Sequence, residues 1–413
     1  MDEQIERALL LLNQNRPSEA RKILQESLTQ SPENDSIYGL LAQLELQEDQ
    51  NEKALEYINA AIGLDPQDSD YYLTKGRIFV AKQKYSDATK SLIEAIRLDP
   101  NNAFAFAYQS LVSNHQKDFS MSLVHADKCL AIDPENVLGL NLRSTALLKL
   151  GREEEGYDTI HGALQEDPEN SFTHANYGWG LLEKGEGKKS LEHFREALRL
   201  NPTNEYAQSG MAEALKSNFF IYRWFLKYQF WMANQVARNQ WVFIIVFYLL
   251  FRFLRRFADA NPEWSMITTP ILVVAAIFAF STWIMTPLSN LLLRVNTYGR
   301  HLLDEEERKS STYVGFSLGI GLLSGLVYLF TKDVVSLSVF ILGIAMMLPL
   351  GRYYTPSRTR NLFKIYAIGL LVVGLASVGG IALTGDLFNV ISTVFLFAFI
   401  AYQWVANFQT IKE

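Results

Sequence analysis

The phrase Asp99-Pro100-Asn101-Asn102 decides how the first half of this chain folds, because variants of it recur every 34 residues. The other copies are Ser31-Pro32-Glu33-Asn34, Asp65-Pro66-Gln67-Asp68, Asp133-Pro134-Glu135-Asn136, Asp167-Pro168-Glu169-Asn170 and Asn201-Pro202-Thr203-Asn204. Proline lacks an N–H donor and has a fixed φ, so each phrase predicts the end of one helix and the start of another unit. A constant period of this length indicates a repeat array.

Small and large side chains occupy fixed places in this period. Position 8, counted from the first residue of each unit, is always small: Ala8, Ala42, Gly76, Ser110, Ser144 and Gly178. Position 24 is larger in five of the units: Leu24, Ile58, Leu92, Ala126, Ile160 and Phe194. This pattern predicts two antiparallel helices per unit, which bury their apolar faces only by stacking on neighbouring units.

Together with small residues at positions 20 and 27 and proline at position 32, these features resemble the tetratricopeptide repeat (TPR) family. The resemblance covers six repeats, at 1–34, 35–68, 69–102, 103–136, 137–170 and 171–204. The stretch 205–217 is similar to the capping helix of such arrays. The resemblance implies an all-α fold with a right-handed α-solenoid over 1–217. Position 4 is never Trp, which departs from the family pattern.

The resemblance also implies a binding groove, lined by the first helix of each unit, for a peptide or a partner helix. We expect its residues to be Phe104, Leu111, Asn114, Leu138, Asn141, Phe172 and Trp179. The apolar side chains would contact an apolar or extended protein segment, and the Asn amides would hydrogen-bond to its backbone. In the alternative interpretation these side chains only pack between neighbouring helices.

Charge divides the chain into two parts. The net charge of the 413 residues is −6, but 1–217 carries −13 and 218–413 carries +7. An acidic first half argues against nucleic acid as a partner, because phosphate binding requires a basic surface. The single Cys129 excludes a disulfide framework, and the acidic stretch 1–6 predicts no cleavable secretory signal.

Long stretches without charge in the second half predict a helical transmembrane bundle over 239–413, in contact with membrane lipids. About 20 apolar residues cross the hydrocarbon core. The predicted spans are 239–257, 266–293, 312–331, 334–350, 365–383 and 387–408. The first ends in three arginines, Arg252, Arg255 and Arg256, so it spans only if they reach the far interface.

The segment 218–238 is predicted to lie on the membrane surface. Eight of the thirteen residues in 219–231 are aromatic, and cationic residues separate them. Such a mixture suits the headgroup region, with Trp224, Lys227 and Trp231 as anchors. The alternative is an ordinary helix packed against the solenoid cap.

The distribution of Lys and Arg favours cytoplasmic termini and a cytoplasmic solenoid. With six spans, thirteen basic residues lie inside and four outside. We therefore expect an integral protein of a bacterial inner membrane. Closely spaced glycines predict close helix contacts and a homo-oligomer: Gly315, Gly319, Gly321, Gly325, Gly369, Gly374, Gly379 and Gly380. An offset of 53 residues aligns Thr331 with Thr384 and Asp333 with Asp386, which indicates duplicated hairpins or a chance match.

The residues predict no catalytic, metal or cofactor site. The six histidines show no metal-ligand spacing, and phosphate-binding and dinucleotide motifs are absent from the sequence. The leading hypothesis is a non-enzymatic scaffold, anchored in the membrane, that recruits or assembles a protein partner there. The alternative is a channel, transporter or lipid-handling protein with a TPR regulatory domain, in which Asn290 and Asn389 would line a polar path.

Overall fold

The computed structural model describes residues 2–14, 16–235, 237–295, 299–354 and 360–412. Two parts of the predicted inside loops, 296–298 and 355–359, therefore lie outside the described residues. Over the described part the chain forms α-helices and one 3-10 turn, without a strand. Contacts divide it into two compact units, Met1–Ala207 with Ala233–Ala237, and Gln208–Met232 with Arg238–Glu413. The predicted domain bounds, 1–217, 218–238 and 239–413, stay predictions.

Paired helices build the first unit. They are α1 (Asp2–Asn13), α2 (Pro17–Gln30), α3 (Asp35–Gln47), α4 (Asn51–Leu64), α5 (Ser69–Ala81), α6 (Tyr85–Leu98), α7 (Ala103–His115), α8 (Phe119–Ile132), α9 (Val137–Lys149), α10 (Glu153–Glu166), α11 (Ser171–Lys184) and α12 (Gly187–Leu200). The even-numbered helices all span positions 17 to 30 of the 34-residue period. The helices therefore follow the register that the proline phrases predict.

The last residue of the proline phrase starts the next helix. The side chain of Asn102 accepts a hydrogen bond from the Ala105 N–H at 3.0 Å, and Asn136 does the same for Gly139 at 3.0 Å. Asn170 caps α11 in the same way, through the Thr173 N–H at 3.0 Å. Such caps satisfy N–H groups that have no partner within the helix. The phrase therefore both ends one helix and begins another.

Size complementarity holds the two helices of a unit together. A Cβ added to Gly178 at position 8 would lie 2.8 Å from the ring of Phe194 at position 24. A Cβ on Gly76 would lie 2.7 Å from the Leu92 side chain. Where position 24 is Ala126, position 8 is Ser110, whose hydroxyl instead donates to the Ser122 carbonyl at 2.8 Å. The small residue at position 8 thus leaves room for its partner.

The second unit contains longer helices. α13 (Glu205–Lys216) crosses from the first unit into the second. It is followed by α14 (Phe220–Ala233), α15 (Ala237–Ala260), α16 (Ser265–Val295), α17 (Gly299–Leu302), α18 (Glu305–Thr331), α19 (Val334–Gly351), α20 (Arg360–Thr384) and α21 (Val390–Lys412). Leu342, Met346, Phe363, Leu370 and Tyr402 form a buried core between α19, α20 and α21.

Four of the six predicted spans coincide with described helical stretches of membrane-spanning length. Over the described residues, four helical stretches are long and apolar enough to cross a membrane: Pro262–Ala279, Glu305–Thr331, Val334–Gly351 and Asn361–Thr384. The spans predicted over 239–257 and 387–408 are not among these stretches and stay predictions. The described apolar part of α21 is Val390–Gln403.

The α18–α19 and α20–α21 hairpins turn in the same way. Lys332 and Gly385 both adopt positive φ, at 54° and 73°. The hydroxyl of the preceding threonine accepts a hydrogen bond from the Asp333 N–H at 3.2 Å in one turn and from the Asp386 N–H at 3.2 Å in the other. The 53-residue offset in the sequence thus corresponds to a shared turn geometry, which supports the duplicated-hairpin interpretation.

Candidate functional site

An exposed apolar row runs along the first helices of the later repeats. We call it the aromatic row and define it as Phe104, Leu138, Phe172 and Tyr206, which are spaced by 34 residues. Phe104 is 52% exposed, Phe172 48% and Tyr206 42%, whereas Leu138 is half-buried. Large apolar side chains of this exposure, repeated over several units, form a surface suited to another apolar chain.

The C-terminal end of this row is an ordered aromatic cluster. The rings of Phe172 and Tyr206 stack with centroids 5.8 Å apart, and Trp179 stacks on Tyr206 at 5.6 Å. The Trp179 indole donates a hydrogen bond to the Tyr206 carbonyl at 3.1 Å and meets the buried Phe194 edge-on at 5.7 Å. These contacts fix the indole, so the cluster is arranged before any ligand arrives.

Sequence reasoning missed Tyr206. The stretch 205–217 resembles a capping helix, and this resemblance does not point to a residue of the groove. The 34-residue register from Phe172 leads directly to Tyr206, and this signal would have identified it.

Asn141 is buried, and its side chain is hydrogen-bonded to neighbouring helical residues. It is 1% exposed, and its amide donates to the Val137 carbonyl and the Thr173 hydroxyl, both at 2.8 Å. Its side-chain oxygen accepts from Asn176 at 3.0 Å. These bonds connect α9 to α11, so a ligand could use the Asn141 amide only by breaking them.

Leu111 and Leu138 are partly buried against a core that contains Ala107, Cys129 and Leu142. Asn114 is half-buried on α7. The predicted groove residues thus fall into two groups. Phe104, Phe172 and Trp179 present rings at the surface or beside it, while the others lie deeper.

Asn234 and Gln235 of the same chain contact the opposite ends of these first helices. Asn234 donates to the Glu183 carboxylate at 2.7 Å, and the Lys117 ammonium donates to the Gln235 carbonyl at 2.8 Å. Lys149 forms an ion pair with Glu183. Burial, and secondly the charge of Lys149, lower the pKa of Lys117. These contacts lie at the C-terminal ends of α7, α9 and α11, whereas the aromatic row lies at the N-terminal ends and remains exposed.

Three histidines and a tyrosine meet where α10, α11 and α12 pack. The His174 and His193 Nδ1 atoms are 3.1 Å apart, and the Tyr177 hydroxyl lies 3.2 Å from His161 Nε2. Burial is the main reason that the pKa of His193 falls to about 4, and the charges of His174 and His161 lower it further. Over the described residues, no group of three or more His, Cys, Asp or Glu side chains has a metal-binding arrangement.

The predicted membrane anchors divide between α14 and α15. One face of α14 is buried through Tyr222, Phe225 and Leu226. The opposite face is exposed and carries the predicted anchors Trp224, Lys227 and Trp231. In α15 the three predicted anchors Arg252, Arg255 and Arg256 are likewise exposed. An aromatic and cationic face beside a buried one is typical of a helix at a membrane surface.

Family comparisons identify the repeats. Residues 11–78 match a family model described as tetratricopeptide repeat, and residues 69–102 match a second one with the same description. The chain therefore carries tetratricopeptide repeats, as its sequence predicts, and its C-terminal part has no family match. No curated protein matches this chain.

Several solved TPR structures align with about half of this chain, at low sequence identity. The TPR protein YrrB, whose structure is described as having an unusual peptide-binding site, is 20% identical. The alignment covers 45% of this chain and 95% of YrrB, with a TM-score of 0.33. Pseudomonas aeruginosa PilF is 19% identical over 51% of this chain and 96% of its own, with a TM-score of 0.42. A TPR protein of Parabacteroides merdae is 15% identical over 51% and 83%, with a TM-score of 0.46.

Proposed function

We propose that this protein is a membrane-anchored TPR scaffold that binds an extended, apolar segment of a protein partner and recruits it to the membrane. TPR domains generally bind proteins or peptides and are generally not catalytic. The observation that carries the proposal is the aromatic row, which remains exposed while the other ends of the neighbouring first helices contact Asn234 and Gln235. Four apolar helices of membrane-spanning length support membrane association. A scaffold at the bilayer acts by raising the effective concentration of its partner there.

The bound segment would lie along the row and place its apolar side chains between successive rings. Phe172, Trp179 and Tyr206 are already in contact with one another, so little side-chain entropy is lost when they bind. Clustered aromatic side chains commonly supply most of the affinity in such interfaces.

Site-specific photo-cross-linking in cells tests partner binding. A photoreactive amino acid replaces Phe172 in the row or, as the matched control, the 56% exposed Ile93 on α6. We expect one dominant adduct from position 172, absent from position 93 and lost when Tyr206 is changed to Ala. The same adducts at both positions, or an adduct that persists in Tyr206→Ala, would refute binding through the row.

Cysteine labelling tests the location and orientation of the second unit. The native Cys129 should react little with the maleimide, because it is fully buried and burial raises its pKa to about 12. Lys332→Cys and Asp386→Cys place thiols in the two equivalent hairpin turns, and His301→Cys places one near the opposite end of α18. With cytoplasmic termini and the six predicted spans, an impermeant maleimide labels positions 332 and 386 in intact cells, but labels position 301 only after lysis. The reverse pattern would indicate inverted termini or only the four spans of Pro262–Ala279, Glu305–Thr331, Val334–Gly351 and Asn361–Thr384. Labelling of all three positions, or of none of them, in intact cells would contradict membrane insertion.

A further inference from the structure

An apolar groove of about 450 Å³ lies within the second unit, between α18, α19 and α20. Phe316 and Ile320 contribute from α18, Leu342 and Met346 from α19, and Ile368 and Leu371 from α20. Phe316 is 68% exposed and Ile368 52%, so the groove is open along its side. Its volume falls in the range of small-molecule sites, and its lining suits a hydrocarbon chain.

A group of three tyrosines closes one end of this groove. Tyr313 and Tyr353 line it, and their rings meet edge-on with centroids 5.9 Å apart. The Tyr313 and Tyr354 rings stack at 5.8 Å, with their hydroxyls 3.2 Å apart. These hydroxyls place hydrogen-bond donors where the hydrocarbon lining ends.

Two lysines lie beside this group of tyrosines. The Lys364 ammonium lies 5.7 Å from the centroid of the Tyr353 ring and 5.8 Å from that of Tyr354, and the Lys309 ammonium lies 5.8 Å from the latter ring. Lys309 also pairs with Glu305 on its own helix at 2.5 Å. In the described part of the chain, Lys364 has no carboxylate partner within 4.0 Å, so its charge is available to an external anion.

Helical spacing places a lysine and several apolar side chains on the same face of α18, and likewise on one face of α20. On α18, Lys309 is followed at helical spacing by Tyr313, Phe316 and Ile320. On α20, Lys364 is followed in the same way by Ile368, Leu371 and Leu375. Each face therefore begins with a cation and continues as apolar surface. The two cationic ends meet at the same tyrosines, and this arrangement matches an amphiphile with an anionic head and an apolar tail.

We propose that this groove binds one anionic phospholipid, with an acyl chain along the apolar lining and the phosphate between Lys309 and Lys364. A tyrosine hydroxyl donates to a phosphate oxygen, and the phosphate competes with Glu305 for Lys309. The charges favour this occupant over a second copy of the chain, because an apolar helix in the groove would leave Lys364 without an anionic partner. Basic pockets between membrane helices recognise lipid headgroups by this chemistry. The proposal rests on the membrane association proposed above.

The test uses the full-length protein purified in detergent, with lipid binding counted by native mass spectrometry. The probes are dioleoyl phosphatidylglycerol and dioleoyl phosphatidylcholine, which differ only in their headgroups. We expect the wild-type protein to retain the anionic lipid, and Lys364→Gln to weaken its binding about five-fold, the contribution of one lysine near an anionic phosphate. Lys364→Arg should restore binding, since it keeps the charge.

Lys332→Gln is the matched control, because Lys332 makes a similar contact of 5.5 Å with the Tyr328 ring at the far end of α18. Equal binding of the two lipids by the wild-type protein, or an equal loss in Lys332→Gln and Lys364→Gln, would overturn the proposal. A dimer that excludes lipid and is unaffected by Lys364→Gln would assign the groove to a second copy and would also overturn it. Circular dichroism of each variant separates loss of binding from loss of fold. Fractionation of cell membranes beforehand tests membrane association separately.

Discussion

The two units bring their helices together by partly different means. In the first, a small residue faces a large side chain, as Gly178 faces the Phe194 ring. The second also contains such pairs, as Gly325 faces the Phe340 ring, but there a Cβ on Gly343 would lie 2.7 Å from the Gly321 Cα atom, so backbone faces backbone at this point. In water, burial of a large apolar side chain drives helix association. In lipid that driving force is absent, and close backbone packing contributes instead. The Gly321–Gly343 contact is therefore of the type expected between membrane helices.

The surfaces of the two units differ in the same sense. Phe330 is 87% exposed, Leu383 91% and Phe388 81%, all in the second unit. Exposure of this extent would favour aggregation in water, but lipid chains would cover it. In the first unit the exposed large apolar residues include Phe104, Phe172 and Tyr206 of the aromatic row, which is the part proposed to bind a partner.

The largest expected effect comes from Gly343→Ala in the second unit. Its new Cβ would contact the Gly321 backbone and the Ser317 carbonyl, at 2.9 Å from the latter, so the helices must separate. We expect a loss of about 3 kcal/mol in the free energy of unfolding, measured by unfolding in increasing SDS. Gly321→Ala is the control, since its Cβ would lie 3.5 Å from its neighbours, an ordinary contact. Equal losses in both variants would contradict close backbone packing at this point.

Gly178→Ala in the first unit should have a smaller effect, because a side chain rather than backbone opposes it. We expect a loss of about 2 kcal/mol, read as a lower midpoint of thermal unfolding. Phe194→Leu in the same chain should recover part of this loss, since leucine already faces alanine in the Ala8–Leu24 pair. Gly162→Ala, with no heavy atom within 4 Å of its Cβ, serves as the control and should be neutral or slightly stabilising. Failure of the double variant to recover would show that the Phe194 ring is not the obstacle.

Helix-to-helix hydrogen bonds should contribute similar amounts in the two units. The Ser317 hydroxyl donates to the Gly343 carbonyl at 2.7 Å, and the Ser110 hydroxyl donates to the Ser122 carbonyl at 2.8 Å. We expect Ser317→Ala and Ser110→Ala each to cost about 1 kcal/mol of unfolding free energy. A cost for Ser317→Ala several times that for Ser110→Ala would show that the second unit depends on its polar contacts far more than on backbone packing.

The smallest expected effect is a pH dependence confined to the first unit. The pKa of His193 is lowered from 6.5 to about 4, so between these values the unfolded chain binds a proton that the folded chain does not. Above pH 6.5 this histidine does not lower the free energy of unfolding. As the pH falls from 6.5 towards 4, the free energy of unfolding decreases, because the unfolded chain takes up the proton. His161, His174 and Glu196 face the same ring and modulate the change. The unfolding midpoint of the wild-type chain should fall by a few degrees more than that of His193→Phe between pH 7 and 5. Parallel curves would refute the assignment to His193.

Local signals predicted most of the first unit and part of its candidate site. The proline phrases placed the helices because the same residues end and cap them. The sequence also indicated Phe104, Phe172 and Trp179 on the proposed binding face. It could not show that the amide of Asn141 is bonded between α9 and α11, since those partners are 32 and 35 residues away.

The second unit was harder to predict, because composition reports hydrophobicity but not which apolar helices are long enough to span. The sequence predicts six spans, and the described residues contain four helical stretches of membrane-spanning length. The spans predicted over 239–257 and 387–408 stay predictions.

The sequence by itself determined the repeat period, the helix starts, the all-α class and the division into an acidic half and an apolar half, because each depends on residues that are close along the chain. Only the tertiary structure decided which rings cluster around Trp179, which glycines touch backbone, and that Lys309 and Lys364 meet over the same tyrosines. Those features join residues that are distant in sequence, and their proximity depends on how whole helices pack.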